Sequence, residues 1–320
     1  MTSTLLETPP ALGARDRRQW PGVAHGWAVL PRGVGVPPLT PRLQVIRACL
    51  VLLFVASTSM FLQLVVFSGF QEGASQGRMF DRLRAQFATG TAPVGPVNDK
   101  GEELPIGTPI AFMEIPSIGV REVIVQSTTS GALFTGPGHR RDTPFPGQVG
   151  SSVIYGRRST FGGPFSDIDR LKEGDSIRVT TGQGVFEYAV LRVLHEGDVA
   201  PSPPAAGVSR LRLVTAAGRA FVPDGVLRVD AELATGAVGG ASPTVASIGL
   251  SSNERAMAGD PSTLWALALW LQALVLLSLG LVWAWHRWGR AQAWIVFFPP
   301  LLLIGLAASG EAARLLPNLL

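Results

Sequence analysis

The side chains capable of covalent or acid–base chemistry are few in this 320-residue chain. There is one cysteine, Cys49, inside an apolar run, and there are four histidines, His25, His139, His195 and His286. A single cysteine rules out an intramolecular disulfide, and the long central region contains no thiol to act as a nucleophile. His139 is the best candidate for a general base. It sits between Gly136-Pro137-Gly138 and Thr143-Pro144-Phe145-Pro146-Gly147, so the preferred reading is a loop histidine hydrogen-bonded within a Pro- and Gly-rich turn. His195 closes a strand-like run and reads as a surface residue. Ser159 and Thr160 follow the pair Arg157-Arg158 with no base beside them. No Cys/His cluster suggests zinc, and no glycine-rich phosphate loop follows a strand. No metal and no cofactor are expected.

The elements that must position these groups divide into apolar helices and a β-rich unit. The chain is 47% hydrophobic with a positive mean hydropathy. Three apolar runs carry the excess, and a helix crossing a bilayer core of ~30 Å needs roughly 20 such residues. The organisation expected is a disordered cytoplasmic tail over 1–44, rich in Pro, Gly and Arg, and a first transmembrane helix over 45–70. A juxtamembrane helix and linker follow over 71–109. A β-domain occupies 110–234 and a flexible Gly/Ser/Ala-rich linker 235–262. A second transmembrane helix spans 263–285, a cytoplasmic loop 286–292, a third transmembrane helix 293–310 and a C-terminal tail 311–320. The third span is short and contains Pro299-Pro300. Some 45 residues precede the first span and no small-residue cleavage site follows it, which reads as a retained helix, not a signal sequence. Met79, Phe80, Leu83 and Phe87 recur at helical spacing, as in an amphipathic helix near the membrane or a plain helical stalk.

Charge follows the same plan. The net charge is +4, yet residues 1–47 alone hold six arginines against Glu7 and Asp16, and Arg287 and Arg290 lie in the loop after the second span. Between Phe70 and Ser262 there are 18 basic and 20 acidic residues. Positive charge thus marks the cytoplasmic ends of the spans and does not form a nucleic-acid surface. The N-terminus is expected in the cytoplasm and the β-domain outside the plasma membrane. Trp265, Trp270, Trp283, Trp285 and Trp288 read as interfacial anchors. Three spans without an inverted repeat or a mid-membrane charge argue against a transporter.

From Ile110 to Leu233 short β-type runs alternate with turn residues: Val120–Gln126, Ser152–Gly156, Ser176–Thr181, Val185–Leu194, Leu211–Thr215 and Val226–Leu233. Thr181-Gly182-Gln183-Gly184 reads as a hairpin turn. Many short strands favour a closed barrel or sandwich, and about 125 residues are enough to bury a core.

Five stretches resemble, in order, landmarks of the sortase family, the membrane-anchored cysteine transpeptidases of Gram-positive bacteria. Glu114-Ile115-Pro116-Ser117-Ile118-Gly119 resembles "IPxIG", and Gly136 to Gly147, through His139, resembles "GxGHxxxTxxPG". Val153-Ile154-Tyr155-Gly156-Arg157-Arg158 stands where the family has "VVxAGHR". Phe165 to Asp175 resembles "F…L..GD", and Leu211-Arg212-Leu213-Val214-Thr215-Ala216 stands where it has "LTLVTC". The stalk and the Ala/Gly/Arg/Pro-heavy composition resemble actinobacterial members. The fold class implied is an all-β sortase-like β-barrel plus three transmembrane α-helices.

The resemblance implies a thiolate that attacks a sorting signal to form a thioester, a histidine for proton transfer and an arginine that stabilises charge. Here the cysteine position is Ala216 and the histidine position is Arg157, which stays protonated and cannot shuttle protons. Arg228 stands two residues from the family arginine position, an offset that keeps a side chain on the same strand face. Thr215, beside Ala216, points to the opposite face. No catalytic residue is therefore expected. Arg157, Arg158, His139, Thr215 and Arg228 are the candidate binding residues. Arg157 and Arg158 would offer fixed charge to an acidic group, or pair with Asp167 or Asp169. The reading is a membrane-anchored, catalytically inactive pseudo-sortase that binds an extended peptide or cell-envelope partner. The alternatives are a sortase-like hydrolase or transpeptidase with a non-standard nucleophile, and a structural scaffold of a cell-envelope assembly.

Overall fold

The computed structural model describes residues 41–98, 100–199, 202–234, 236–239 and 249–320. The expected tail over 1–44 lies outside them up to residue 40. Eight strands form the β-domain: β1 Pro109–Ile115, β2 Val120–Gln126, β3 Gly138–His139, β4 Gly150–Tyr155, β5 Ser176–Thr181, β6 Gly184–Leu194, β7 Ser209–Arg219 and β8 Val222–Leu233. They close into a barrel in the order β1-β2-β3-β4-β7-β8-β6-β5. The β2–β3 and β4–β7 pairs are parallel and the rest antiparallel. β5 and β6 turn about Gly182-Gln183, where the Gln183 N–H donates to Thr181 Oγ1 at 3.1 Å.

Side chains alternate across a strand, and β7 shows both faces put to use. Leu211, Leu213 and Ala217 enter the barrel interior with Ile110, Ile124, Phe165, Tyr188, Leu227 and Val229. Val214 and Ala216 face outward into a second apolar cluster.

Helix α1, Pro41–Leu62, continues through a π-helical segment, Gln63–Phe67, into α2, Ser68–Thr89. The apolar face of α2 packs on the barrel. Phe80 meets Phe112 edge-on at 5.1 Å, and Leu83 is buried. Gln76 ties the helix to β2: its Oε1 accepts from the Val123 N–H at 2.7 Å, and its Nε2 donates to the carbonyls of Val123 and Thr135 at 3.1 and 2.8 Å.

Helices α3, Leu264–Arg287, and α4, Arg290–Arg314, form an antiparallel hairpin. The 24-residue stretches Pro261–Ala284 and Ala291–Arg314 are long and apolar enough to cross a membrane. α4 carries Pro299 and Pro300 without ending; apolar helices packed on a neighbour tolerate proline better than exposed soluble ones. Residues 249–262, expected as flexible linker, contain a short 3₁₀ turn, Ser252–Glu254, with Glu254 fully buried. Within the C-terminal tail placed at 311–320, Asn318, Leu319 and Leu320 are buried. Both segments have partners on the barrel.

Candidate functional site: the outer face of β4 and β7

β4 and β7 run parallel, with Tyr155 beside Val214. Gly156 follows β4. Its N–H donates to the Val214 carbonyl at 3.0 Å, and its own carbonyl accepts from Thr215 Oγ1 at 2.8 Å. A Cβ on Gly156 would lie 2.3 Å from the Phe165 ring. Glycine is what lets the Arg157-Arg158 turn leave β4 against that buried ring. Gly156→Ala is expected to cost about 1–3 kcal/mol by overpacking, read as lost hydrogen-exchange protection in β4 and β7. Unchanged protection would show that the contact does not constrain the turn.

Ala216 is buried among Leu133, Val153, Tyr155, Val214 and Leu319, with Val226, Ala256 and Met257 packed around them. Its methyl group offers no electron pair. Val226 stands opposite it on β8, and Arg228 stands opposite Val214. Arg228 therefore shares the outer face two residues along, partly exposed, its side chain without a hydrogen bond or ion pair among the described residues.

The two arginines after Gly156 part company. Arg157 is fully buried. Its Nη1 donates to Thr160 Oγ1 at 3.1 Å and its Nη2 to Ser130 Oγ at 2.8 Å. Its guanidinium lies 4.7 Å from the Phe134 ring and 5.2 Å from that of Phe161, two rings stacked at 3.8 Å. Burial lowers its pKa to about 9, so it remains a cation near neutrality. The aromatic faces supply the negative potential that a carboxylate would otherwise provide. Arg158 is the one that pairs with an acid: Nη2 lies 3.1 Å from Asp169 Oδ2, while Nη1 donates to the Ala216 carbonyl at 3.3 Å. Asp167 pairs instead with Arg170.

His139 is fully buried inside its turn. Nε2 lies 2.9 Å from the Pro144 carbonyl, which only accepts, so Nε2 carries the hydrogen. Nδ1 faces the Gln126 side-chain amide at 3.0 Å. Burial lowers its pKa to about 4, against small opposing effects from Pro144 and Asp142. It is neutral at physiological pH with both nitrogens engaged. Thr215 is likewise fully buried, with its hydroxyl committed to Gly156. Of the five candidate binding residues, the structure brings Arg158 and Arg228 to the face that carries Ala216. It encloses Arg157, His139 and Thr215.

Two segments remote in sequence cover that face. Residues 251–258 are strapped down by Glu254, whose carboxylate accepts from Arg141 Nε and Nη2 at 2.8 and 2.6 Å and from Ser127 Oγ at 2.7 Å. Its backbone carbonyl accepts from Thr128 Oγ1 at 2.7 Å. Burial pushes the Glu254 carboxyl up, but hydrogen bonds from Arg141, Ser251 and Ser127 and the charge of Arg141 outweigh it and hold the pKa at about 2. Residues 317–320 come from the end of α4. The Arg158 N–H donates to the Leu319 carbonyl at 3.0 Å, and the Thr160 N–H and Oγ1 donate to the Leu320 carbonyl at 3.3 and 2.7 Å. Asn318 Nδ2 donates to the carbonyls of Thr128 and Arg255 at 3.1 and 2.8 Å. Full burial of a leucine such as Leu319 stabilises by about 1.5–3 kcal/mol.

Sequence reasoning missed Glu254, Asn318 and Leu319. Two signals were present: Glu254 is the sole acid between Glu232 and Asp260, and Pro317-Asn318 introduces two leucines after a membrane-length run.

Residues 113–220 match the family model of the sortase domain. Sortase D of Bacillus subtilis (strain 168) is 31% identical over 86 residues, which cover 27% of this chain and 42% of that relative. The chain thus spans less than half the length of the curated relative it matches. Among solved structures, a Clostridium perfringens sortase D5 transpeptidase is 24% identical, covering 51% of this chain and 99% of that one at a TM-score of 0.42. Sortase E1 from Streptomyces coelicolor, solved with a tripeptide in its active site, is 21% identical, covering 41% and 91% at a TM-score of 0.36. The barrel is a sortase-family domain.

Proposed function

We propose that this protein is a membrane-anchored pseudo-sortase whose barrel holds a polypeptide segment against the outer β4–β7 face without cutting it. Sortases are cysteine transpeptidases, and the observation that carries the reading is Ala216 buried beneath Leu319 where the resemblance requires the thiol. The chain's one cysteine, Cys49, belongs to α1. The Thr160 and Thr215 hydroxyls and both ring nitrogens of His139 are committed to structural hydrogen bonds, so His139 is not placed to activate a nucleophile. The binding elements are backbone donors at Arg158 and Thr160 and an apolar seat at Ala216. Anchoring at the cell envelope rests on α3 and α4, with α1 as a third span and the barrel outside the plasma membrane. α3 leaves from the barrel side and α4 returns to it, as that topology requires.

The test is mass spectrometry of the detergent-solubilised full chain, incubated with an LPxTG-type peptide and an amine acceptor. Neither a thioester adduct nor a transpeptidation product is expected. Either one formed by the chain with Ala216 in place would overturn the reading.

A further inference from the structure

We infer that the outer β4–β7 face reads a Pro-Asn-apolar-apolar segment and that its resident ligand is the protein's own residues 317–320, bound in cis. The inference rests on the peptide-holding reading above and names both the ligand chemistry and the way access is controlled.

The recognition is specific at each position. Asn318 is fully buried, and its amide NH₂ meets two carbonyl oxygens, those of Thr128 and Arg255. Two acceptors facing one side chain demand a double N–H donor. Aspartate, equal in size, presents only acceptors and would be repelled. Leu319 fills the space over Ala216, among Leu133, Val153, Tyr155 and Val214. A methyl at position 216 completes an apolar seat there. The Leu319 and Leu320 carbonyls are read by the Arg158 and Thr160 backbone and by the Thr160 hydroxyl. Pro317 starts the segment, its carbonyl accepting from the Leu320 N–H at 3.1 Å and fixing the bend.

Backbone strain gathers around the same segment. Among the described residues four non-glycine positions have positive φ, and three of them are Ser127 (89°), Phe161 (50°) and Met257 (61°). Ser127 holds Glu254, Phe161 stacks under Arg157, and Met257 packs against the Leu319 cluster. Conformations of this kind persist where surrounding contacts over-determine them, and they concentrate at binding sites. The end of α4 is engaged as well: Ala313 packs with Phe134 and Phe161, and Arg314 lies 6.0 Å over the Phe134 ring. Displacing 317–320 would therefore uncouple the end of α4 from the barrel, so occupancy of this face by another chain reports directly on the α3–α4 hairpin.

The test uses the full chain in detergent and a fluorescent peptide with the sequence of residues 314–320. The tail is released in place by Asn318→Asp or, separately, by Leu319→Asp. A tether of this kind supplies an effective concentration near the millimolar range, so the released chains should bind the peptide about 100-fold more tightly than the unmodified chain. The same peptide carrying Asn318→Asp should not bind them. Equal binding by unmodified and released chains would overturn self-occupancy while leaving peptide holding intact. No binding by a released chain that keeps β7 hydrogen-exchange protection would overturn the recognition site. Covalent capture or cleavage of the peptide would instead sink the pseudo-sortase reading. Should both released chains unfold, a diazirine leucine analogue at position 319 of the otherwise unmodified chain decides the matter. Crosslinks within one chain to residues 133, 153–155 or 214–216 are expected. Crosslinks elsewhere, or between chains, would overturn cis occupancy.

Discussion

Replacing Glu254 with alanine is expected to destabilise the covered barrel by about 3–5 kcal/mol, the cost of breaking a buried ion pair by removing one partner. Glu254 is fully buried, and Arg141 is largely so, with contacts of 2.6 and 2.8 Å between them. Alanine would leave Arg141 with only the half-exposed Glu103, 2.6 Å away. It would also strip Ser127, held at φ 89°, of the carboxylate its hydroxyl serves. Glu254→Gln should cost less, since an amide keeps one acceptor and the volume. The pH dependence follows from the lowered pKa of about 2. A carboxyl depressed in the folded state contributes stability that is present above the ordinary value of 4.5 and is lost as pH falls through about 2. The barrel contains no tryptophan, all eight lying outside 110–234, so tryptophan fluorescence would report on other parts of the chain. Hydrogen exchange of β7 amides is the appropriate measure. A change below about 1 kcal/mol, the level of exposed pairs, would show that 251–258 is not strapped through this residue.

The parts of this molecule legible in its sequence are those governed by short-range rules. Alternation along Leu211–Ala216 placed Thr215 and Ala216 on opposite faces, and β7 shows Thr215 buried against Gly156 while Ala216 faces the outer cluster. The two-residue offset of Arg228 from Val226 is the register found between β7 and β8. The Gly-rich pair of residues between β5 and β6 turns the chain as its composition implies. What escaped depended on partners far away in sequence. The Asn318 amide donates to the backbone carbonyls of Thr128 and Arg255, separations of 190 and 63 residues. Glu254 reaches Arg141 across 113. Neither segment has enough apolar periodicity to announce burial, because a few polar anchors and single leucines hold each one. The arginine pair was legible only in part: sequence offered Asp167 or Asp169 as partners, and Asp169 takes Arg158. Nothing local could have shown that Arg157 would be enclosed by two phenylalanine rings supplied by separate loops.

His139 should account for a loss of up to about 3 kcal/mol in barrel stability as pH falls from 6.5 to 4. Its ring is fully buried and its pKa is lowered from 6.5 to about 4. In that interval the unfolded chain binds the proton and the folded chain refuses it, so stability rises with pH there. Glu254 acts at lower pH, below its ordinary value. The buried pair Glu72 and Glu122, where α2 meets β2, acts in the opposite sense. Desolvation raises both carboxyls, and with the repulsion from Glu72 added at Glu122 they stand at about 6 and about 8. Their contribution is full below 4.5 and is lost as pH rises through those values. The raw pH profile of the barrel therefore mixes slopes of both signs, and the informative quantity is the difference between the unmodified chain and His139→Gln. Glutamine can still donate to the Pro144 carbonyl but does not titrate. The difference between the two chains should be flat above pH 6.5 and change steadily in favour of the variant down to about pH 4. A difference that stays constant across the interval would mean that the ring accepts a proton in the folded barrel. That outcome would reopen His139 as a proton carrier, a role its enclosure between Pro144 and Gln126 denies it.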